Sequence, residues 1–174
     1  EGDDRQLAKY DFGELAIVTF LQAHEFGKPY VLLPATMVGR SQHHTIFYNA
    51  DKGSLTARDL NGKRVGVRAY TQTTGCWVRG FLAQDYGVDL GKVKWVTFED
   101  AHVPEYRDPP GVERAALGKD MTKMLLEGEL DAAIGDHGLP LYLVPQTEEA
   151  RVVHRADRPH LPPEAEHQDS RHER

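Results

Sequence analysis

Threonines occupy positions 71, 73 and 74 of the stretch Arg64-Val-Gly-Val-Arg-Ala-Tyr70-Thr71-Gln72-Thr73-Thr74-Gly75. The pattern is that of a strand end, a short hydroxyl-rich loop and a helix start. The first amides of a helix have no acceptor within it, and the helix dipole puts partial positive charge on them. Threonine hydroxyls beside such amides make a holder for a carboxylate. A plain N-cap at Thr73 accounts for one hydroxyl and leaves two over. The loop lacks the glycine spacing and the Lys-Ser/Thr pair of a phosphate-binding P-loop.

Arg40, His43 and His44 form a second cluster. A guanidinium forks onto a carboxylate, and an imidazole moves a proton near neutral pH. In an extended loop the two adjacent imidazoles point opposite ways, so one of them faces a cleft. A solvated polar loop is the plainer alternative. Asp11 and Glu14 flank a strand-to-helix junction, where parallel sheets place ligand crevices, although acidic residues also simply favour a helix start. His102 follows a strand within Glu99-Asp100-Ala-His102. His43, His44 and His102 could supply three nitrogen ligands to a divalent metal, but their spacing matches no zinc signature, and no cofactor is expected. Lys119 and Asp120 are expected to cap and solvate the helix after them. Cys76, the single cysteine, and Trp77 lie on the helix after the threonine loop and are expected to be buried. Trp77 is read as core before ring-stacking platform.

The elements that must position these residues follow from periodicity. Residues 14–26 carry apolar side chains on helical spacing, and Gly27 stops the helix. The continuous apolar run Tyr30-Val-Leu-Leu-Pro34 predicts a buried strand. A polar loop covers 39–44, and a strand 45–48. A one-turn helix is expected over 55–60 before Asn61-Gly62, then a strand at 63–67. Helix over 73–86, strand over 93–98, helix over 119–127 and strand over 130–134 complete the pattern. Strands alternating with helices predict crossover units and a mainly parallel sheet.

The chain has 174 residues, 40% hydrophobic and 28% charged, which fits a globular α/β protein. The net charge of −6 without a basic stripe argues against nucleic acid as a partner. No apolar run is long enough for a membrane span. One cysteine excludes an intrachain disulfide. The first residues, Glu1-Gly-Asp-Asp-Arg5, do not have the form of a secretory signal. From 151 to 174 the texture changes, with ten Asp, Glu, Lys or Arg, four His and three Pro in 24 residues. Such a segment buries too little apolar surface to offset its ordering entropy. Residues 1–150 are therefore expected to hold the α/β region, in parts of one or two lobes, and 151–174 to be a disordered tail.

The segments Asp11-Phe-Gly-Glu14, Arg40-Ser-Gln-His43-His44, Tyr70-Thr-Gln-Thr-Thr-Gly75-Cys-Trp77-Val-Arg79-Gly80 and His102-Val-Pro-Glu-Tyr106 occur in this order. Together with Gly118-Lys-Asp120 and Gly128-Glu-Leu-Asp-Ala-Ala-Ile134, they resemble the 4,5-dihydroxyphthalate decarboxylase family over residues 10–145. The resemblance implies a type II periplasmic-binding-protein-like α/β fold, truncated here at both ends, with 151–174 an aberrant continuation. It implies non-oxidative loss of CO₂ from an aromatic diacid; no cofactor is expected, with a divalent metal left open, and without an export signal a cytoplasmic enzyme is expected. His43 or His44 would donate the proton. Arg40, Thr71, Thr73 and Thr74, with Tyr70, Gly75 and Trp77, would hold the small aromatic carboxylate. Glu14 or His102 would engage the ring hydroxyls. The alternative is a solute-binding protein for a small acid without chemistry, periplasmic if an export signal precedes Glu1.

Overall fold

A strand covered on both faces must carry apolar side chains in both directions, and three short segments here do. The computed structural model describes residues 11–39 and 42–135. Five strands form one mixed sheet: β1 (Ile46–Tyr48), β2 (Arg64–Val67), β3 (Lys94–Thr97), β4 (Glu113–Arg114) and β5 (Ala132–Ile134), in the order β1-β5-β2-β3-β4. The β2–β3, β2–β5 and β3–β4 pairs are parallel, and β1 runs antiparallel on the β5 edge. The helices are α1 (Ile17–Glu25), α2 (Thr73–Gln84) and α3 (Met121–Glu127).

Successive strand side chains point to opposite faces, so the sheet divides its core in two. Val65, Val67, Trp95, Ala132 and Ile134 face α2, where they pack with Val78 and Leu82. Val96 and Ala133 face the other way and pack with Met124, Leu125 and Leu130 on and beside α3. Gly66 lies between them on the α3 face, where a β-carbon would meet Leu130 Cδ1 at 2.7 Å and Met121 Cγ at 3.1 Å. The result is a helix-sheet-helix layering with β2 at its centre.

Local chemistry sets the helix ends. Asp120 caps α3, its carboxylate accepting from the Lys123 amide at 2.8 Å, and Gly128 closes the helix at φ 82°. Left-handed φ suits glycine there because no β-carbon clashes. Thr56 and Asp59 form a capping box on the 3₁₀ turn Ala57–Leu60, the Thr56 amide and hydroxyl both donating to the Asp59 carboxylate. Those bonds hold the Asp59 carboxyl below its ordinary pKa.

Most predicted elements stand where the periodicity put them, with four departures. Residues 30–39 form no strand; Val31, Leu33, Met37 and Val38 are exposed. Apolar content drives burial only where another element supplies a partner, and no described strand pairs with this run. Cys76 and Trp77 are exposed rather than core, because α2 turns Val78, Arg79 and Leu82 inward and these two residues away from the sheet. Residues 43–45 form a 3₁₀ turn rather than an extended loop, so His43 and His44 diverge by about 120° instead of pointing oppositely. The two-residue strand β4 carries no apolar alternation and was not foreseen. The expected tail at 151–174 lies outside the described residues. Among the described residues, no helix is long and apolar enough to cross a membrane.

Two glycines test the packing. Gly66→Ala should destabilise the protein by about 1–3 kcal/mol, since Leu130 is buried and has little room to yield. Gly80 lies inside α2 with open space where its β-carbon would be, so Gly80→Ala should stabilise by about 0.5–1 kcal/mol. Urea denaturation of both variants measures the two signs.

Candidate functional site

Three segments that leave or enter the sheet meet at the carboxyl ends of its parallel strands. Residues 68–72 lead from β2 to α2, residues 98–108 follow β3, and the turn His43–Thr45 enters β1 beside the end of β5. The Arg68 carbonyl accepts from the amides of Phe98 (3.0 Å) and Glu99 (2.7 Å), which ties the first two segments together. The Gly135 amide donates to the Thr45 carbonyl at 3.0 Å and fixes the third. Open α/β sheets place ligands at this edge.

Helix α2 begins after Gln72, whose side chain makes no cap hydrogen bond, so Thr73 is the first helical residue and not the N-cap. The Thr73 hydroxyl accepts from the Val18 amide at 3.3 Å, which joins α1 to the start of α2. Thr74 is buried. Thr71 is 4% exposed, and its hydroxyl has no hydrogen-bond partner among the described residues. Gly75 packs against β2: a β-carbon there would meet Val67 Cγ2 at 2.8 Å and Arg79 Nη1 at 3.4 Å.

The second contact locates Arg79. Helical side chains lean toward the amino terminus, so Arg79 reaches back one turn to Gly75. Its guanidinium carbon lies 3.8 Å above the Tyr70 ring and 5.7 Å from that of Trp95. Arg79 is 9% exposed, and Nη1 has no hydrogen-bond partner among the described residues. A buried cation against two aromatic faces, with a donor left over at a helix start, favours an anion. Arg79 is a candidate functional residue that the motif Tyr70–Gly80 contains without marking. Its place four residues after Gly75, on the face of Val78 and Leu82, is the signal that could have found it.

Tyr106 and Asp108 lie within electrostatic reach of Arg79. Burial pushes the Tyr106 phenol up, followed by the Asp108 and Tyr70 charges, while Arg79 draws it down. Asp108 keeps an exposed side, yet burial is the largest influence on its carboxyl and raises it against the pull of Arg114 and Arg79.

The remaining predicted residues are spread around this centre. His102 Nδ1 and the Thr19 hydroxyl are hydrogen-bonded at 3.1 Å, so His102 bridges the 98–108 segment to α1. Lys28 and Glu105 form a second bridge at 2.7 Å. His43 stacks on Phe81, with centroids 4.0 Å apart and planes at 12°. Phe81 lies seven residues beyond Thr74, about 10 Å further along α2. The topology thus gives His43 and the threonine loop one sheet edge, with the His43 ring resting on the third turn of α2. Glu14 is exposed ahead of α1, and Arg40 lies outside the described residues. Lys119 pairs with Glu129 at 2.6 Å, a surface role. Among the described residues, no group of three or more His, Cys, Asp or Glu side chains is arranged to hold a metal ion.

No family model matches the chain. Two curated proteins are similar to it. A 4,5-dihydroxyphthalate decarboxylase of Comamonas testosteroni is 31% identical over 144 residues, covering 75% of this chain and 42% of that protein. A 4,5-dihydroxyphthalate decarboxylase of Pseudomonas putida is 35% identical over 136 residues, covering 74% of this chain and 53% of that protein. They bear out the resemblance read from the motifs. The chain spans about half the length of these relatives.

The electrostatics make a measurable prediction. Arg79 lowers both the Tyr106 and the Asp108 pKa, so Arg79→Met should raise both, as followed by ¹³C NMR titration of the labelled side chains. Asp108 already holds its proton above the ordinary carboxylate value when folded, so the folded state binds more protons in that window. Its contribution to stability therefore declines as pH rises from the ordinary value through the raised one, and Asp108→Asn should flatten that decline.

Proposed function

We propose that this chain carries the carboxylate-holding part of a non-oxidative aromatic-acid decarboxylase that converts 4,5-dihydroxyphthalate to 3,4-dihydroxybenzoate and CO₂. The observation that supports it is the similarity to two decarboxylases of that name across the segments gathered at one sheet edge. On this reading the α/β unit is a lobe of type II periplasmic-binding-protein-like architecture. A parallel sheet core with helices on both faces is compatible with that assignment.

The reaction needs few groups. A proton is delivered to the ring carbon that bears the leaving carboxylate, while electron density flows in from the hydroxyl para to it. The carbon–carboxyl bond then breaks, its electron pair restores the aromatic ring, and CO₂ departs. One proton is consumed and one carboxylate lost, with no change in redox state. The chain must supply a general acid, an acceptor for the ring hydroxyl and an anchor for the carboxylate that stays. His43 or His44 is assigned as the acid, His102 and Glu14 as partners of the ring hydroxyls, and the Thr71–Thr74 loop as the anchor. The helix start and the buried Thr71 hydroxyl support the last assignment.

Incubating the purified chain with 4,5-dihydroxyphthalate, while following CO₂ and 3,4-dihydroxybenzoate, tests the activity. His43→Asn and His44→Asn keep hydrogen-bonding capacity but remove the titrating proton, and the variant that replaces the acid should lose about 10²–10⁴-fold in kcat at little cost in affinity. Turnover that survives both substitutions moves the role to His102. Saturable binding without turnover would favour a solute-binding module over an enzyme.

A further inference from the structure

The start of α2 offers more than helix amides. Thr71 is 4% exposed and Arg79 9% exposed, and the Thr71 hydroxyl and Arg79 Nη1 are both buried atoms without a hydrogen-bond partner among the described residues. The two are linked through Tyr70, which precedes Thr71 in the chain and lies 3.8 Å beneath the Arg79 guanidinium. Nη1 lies at ordinary contact distance, 3.4 Å, from where a Gly75 β-carbon would be, which puts it beside the first turn of α2.

A purely structural role leaves part of this arrangement unexplained. Stacking on Tyr70 and Trp95 satisfies the face of the guanidinium and does nothing for its N–H groups, which lie in the plane. Burying a cation with a free donor is costly unless an acceptor arrives. Asp108, near enough to feel the charge, makes no hydrogen bond to Nη1. Arginine is suited to a planar carboxylate because its fork matches both oxygens, and lysine gives a point charge in its place.

We propose that Arg79 is a specificity-determining residue of this site: Nη1 takes one oxygen of a ring carboxylate at the start of α2, and the Thr71 hydroxyl takes the other. The ligand class is a planar aromatic carboxylate. The aromatic ring rests on the proposed function; the carboxylate rests on the unpartnered donor of a buried cation, which favours an anionic acceptor. Arg79 thus does the work that the sequence reading assigned to Arg40, without bearing on Arg40 itself.

The test uses phthalate, which has the two ortho carboxylates but no hydroxyl to drive decarboxylation, titrated into the whole 174-residue chain by calorimetry. Dimethyl phthalate is the uncharged comparison. Arg79→Lys keeps the charge and most of the stem, Thr71→Val keeps the shape, and Arg58→Met, exposed on a 3₁₀ turn away from the site, is the control. The expected result is phthalate binding by the unmodified chain and by Arg58→Met, with no measurable binding of the diester. Arg79→Lys should weaken phthalate binding about tenfold or more, since the charge stays but the in-plane guanidinium donor at Nη1 is lost. Thr71→Val should weaken it by about three- to tenfold while the melting temperature holds or rises, because a buried hydroxyl without a partner is removed.

Failure of the unmodified chain to bind phthalate would overturn the proposal. Equal binding of the diester, or undiminished binding by a folded Arg79→Lys, would do the same. If Arg79→Lys does not fold, Thr71→Val and the diester decide the matter alone. Arg79-dependent phthalate binding with no CO₂ from 4,5-dihydroxyphthalate would sustain this subsite and sink the decarboxylase reading. CO₂ release with unchanged kcat/KM in Arg79→Lys would do the reverse.

Discussion

Gly75 lets α2 sit on β2 at a separation that a β-carbon would forbid, the nearest obstruction being Val67 Cγ2 at 2.8 Å. The consequences run outward from that contact. Close approach sets the helix start directly at the carboxyl end of the central strand. The Arg79 side chain reaches back along the helix beside that contact and lies over Tyr70. Below it, Val67, Val78 and Leu82 are fully buried, so the helix has little freedom to shift. A dense core of this kind can carry unpartnered donors because interior packing resists local relaxation. The site is held by the core, and its polar atoms draw their orientation from apolar contacts.

Around that centre the connections are mostly backbone hydrogen bonds. The Arg68 carbonyl binds the 98–108 segment to the 68–72 loop through two amides, and the exposed Arg68–Glu99 ion pair adds little to them. The contacts of α1 are of the same modest kind: Val18 to Thr73, Thr19 to His102, Lys28 to Glu105. The three parts therefore differ in firmness. The β2–α2 junction is core-anchored, the 98–108 segment is stitched to it, and α1 rests on both through a few polar bonds. A ligand bound at the α2 start would touch the firmest part first.

The sequence made the periodic elements legible and left the site only half so. Strands β2, β3 and β5 announce themselves by apolar residues facing both ways, and α2 and α3 by their spacing. The threonine loop stands out in the sequence because its hydroxyls exceed what capping needs; among the described residues Thr71 has no hydrogen-bond partner and Thr73 accepts from the Val18 amide. Trp77 is the conspicuous ring of this segment yet turns outward, and Arg79 two positions on turns inward. A helical wheel through Gly75, Val78, Arg79 and Leu82 would have set a charge on an apolar face, the pattern that marks a buried cation. Residues 30–38 failed for another reason: hydrophobicity reports a wish for burial and cannot name the partner. His43 and His44 were read as alternating, which holds for extended chain and not for a 3₁₀ turn.

The assignment of the anchor to the carboxylate that stays follows from charge. Decarboxylation turns an anionic carboxylate into neutral CO₂, so a guanidinium fixed on the leaving group would stabilise the reactant more than the transition state and slow the step. The same guanidinium on the neighbouring carboxylate binds reactant, transition state and product alike. Its contribution is to hold the ring in place and orient the other carboxyl. Arg79 at the start of α2 can therefore serve the proposed reaction only with the leaving carboxylate directed away from it, toward a less positive surround. Tyr106 and Asp108 of segment 98–108 both lie within electrostatic reach of Arg79, so that segment would border the carboxylate that stays, to which the Tyr106 hydroxyl can donate. On the proposed reaction, one helix start would order the whole substrate, with the anion that persists on the core-anchored side and the anion that disappears directed away from Arg79.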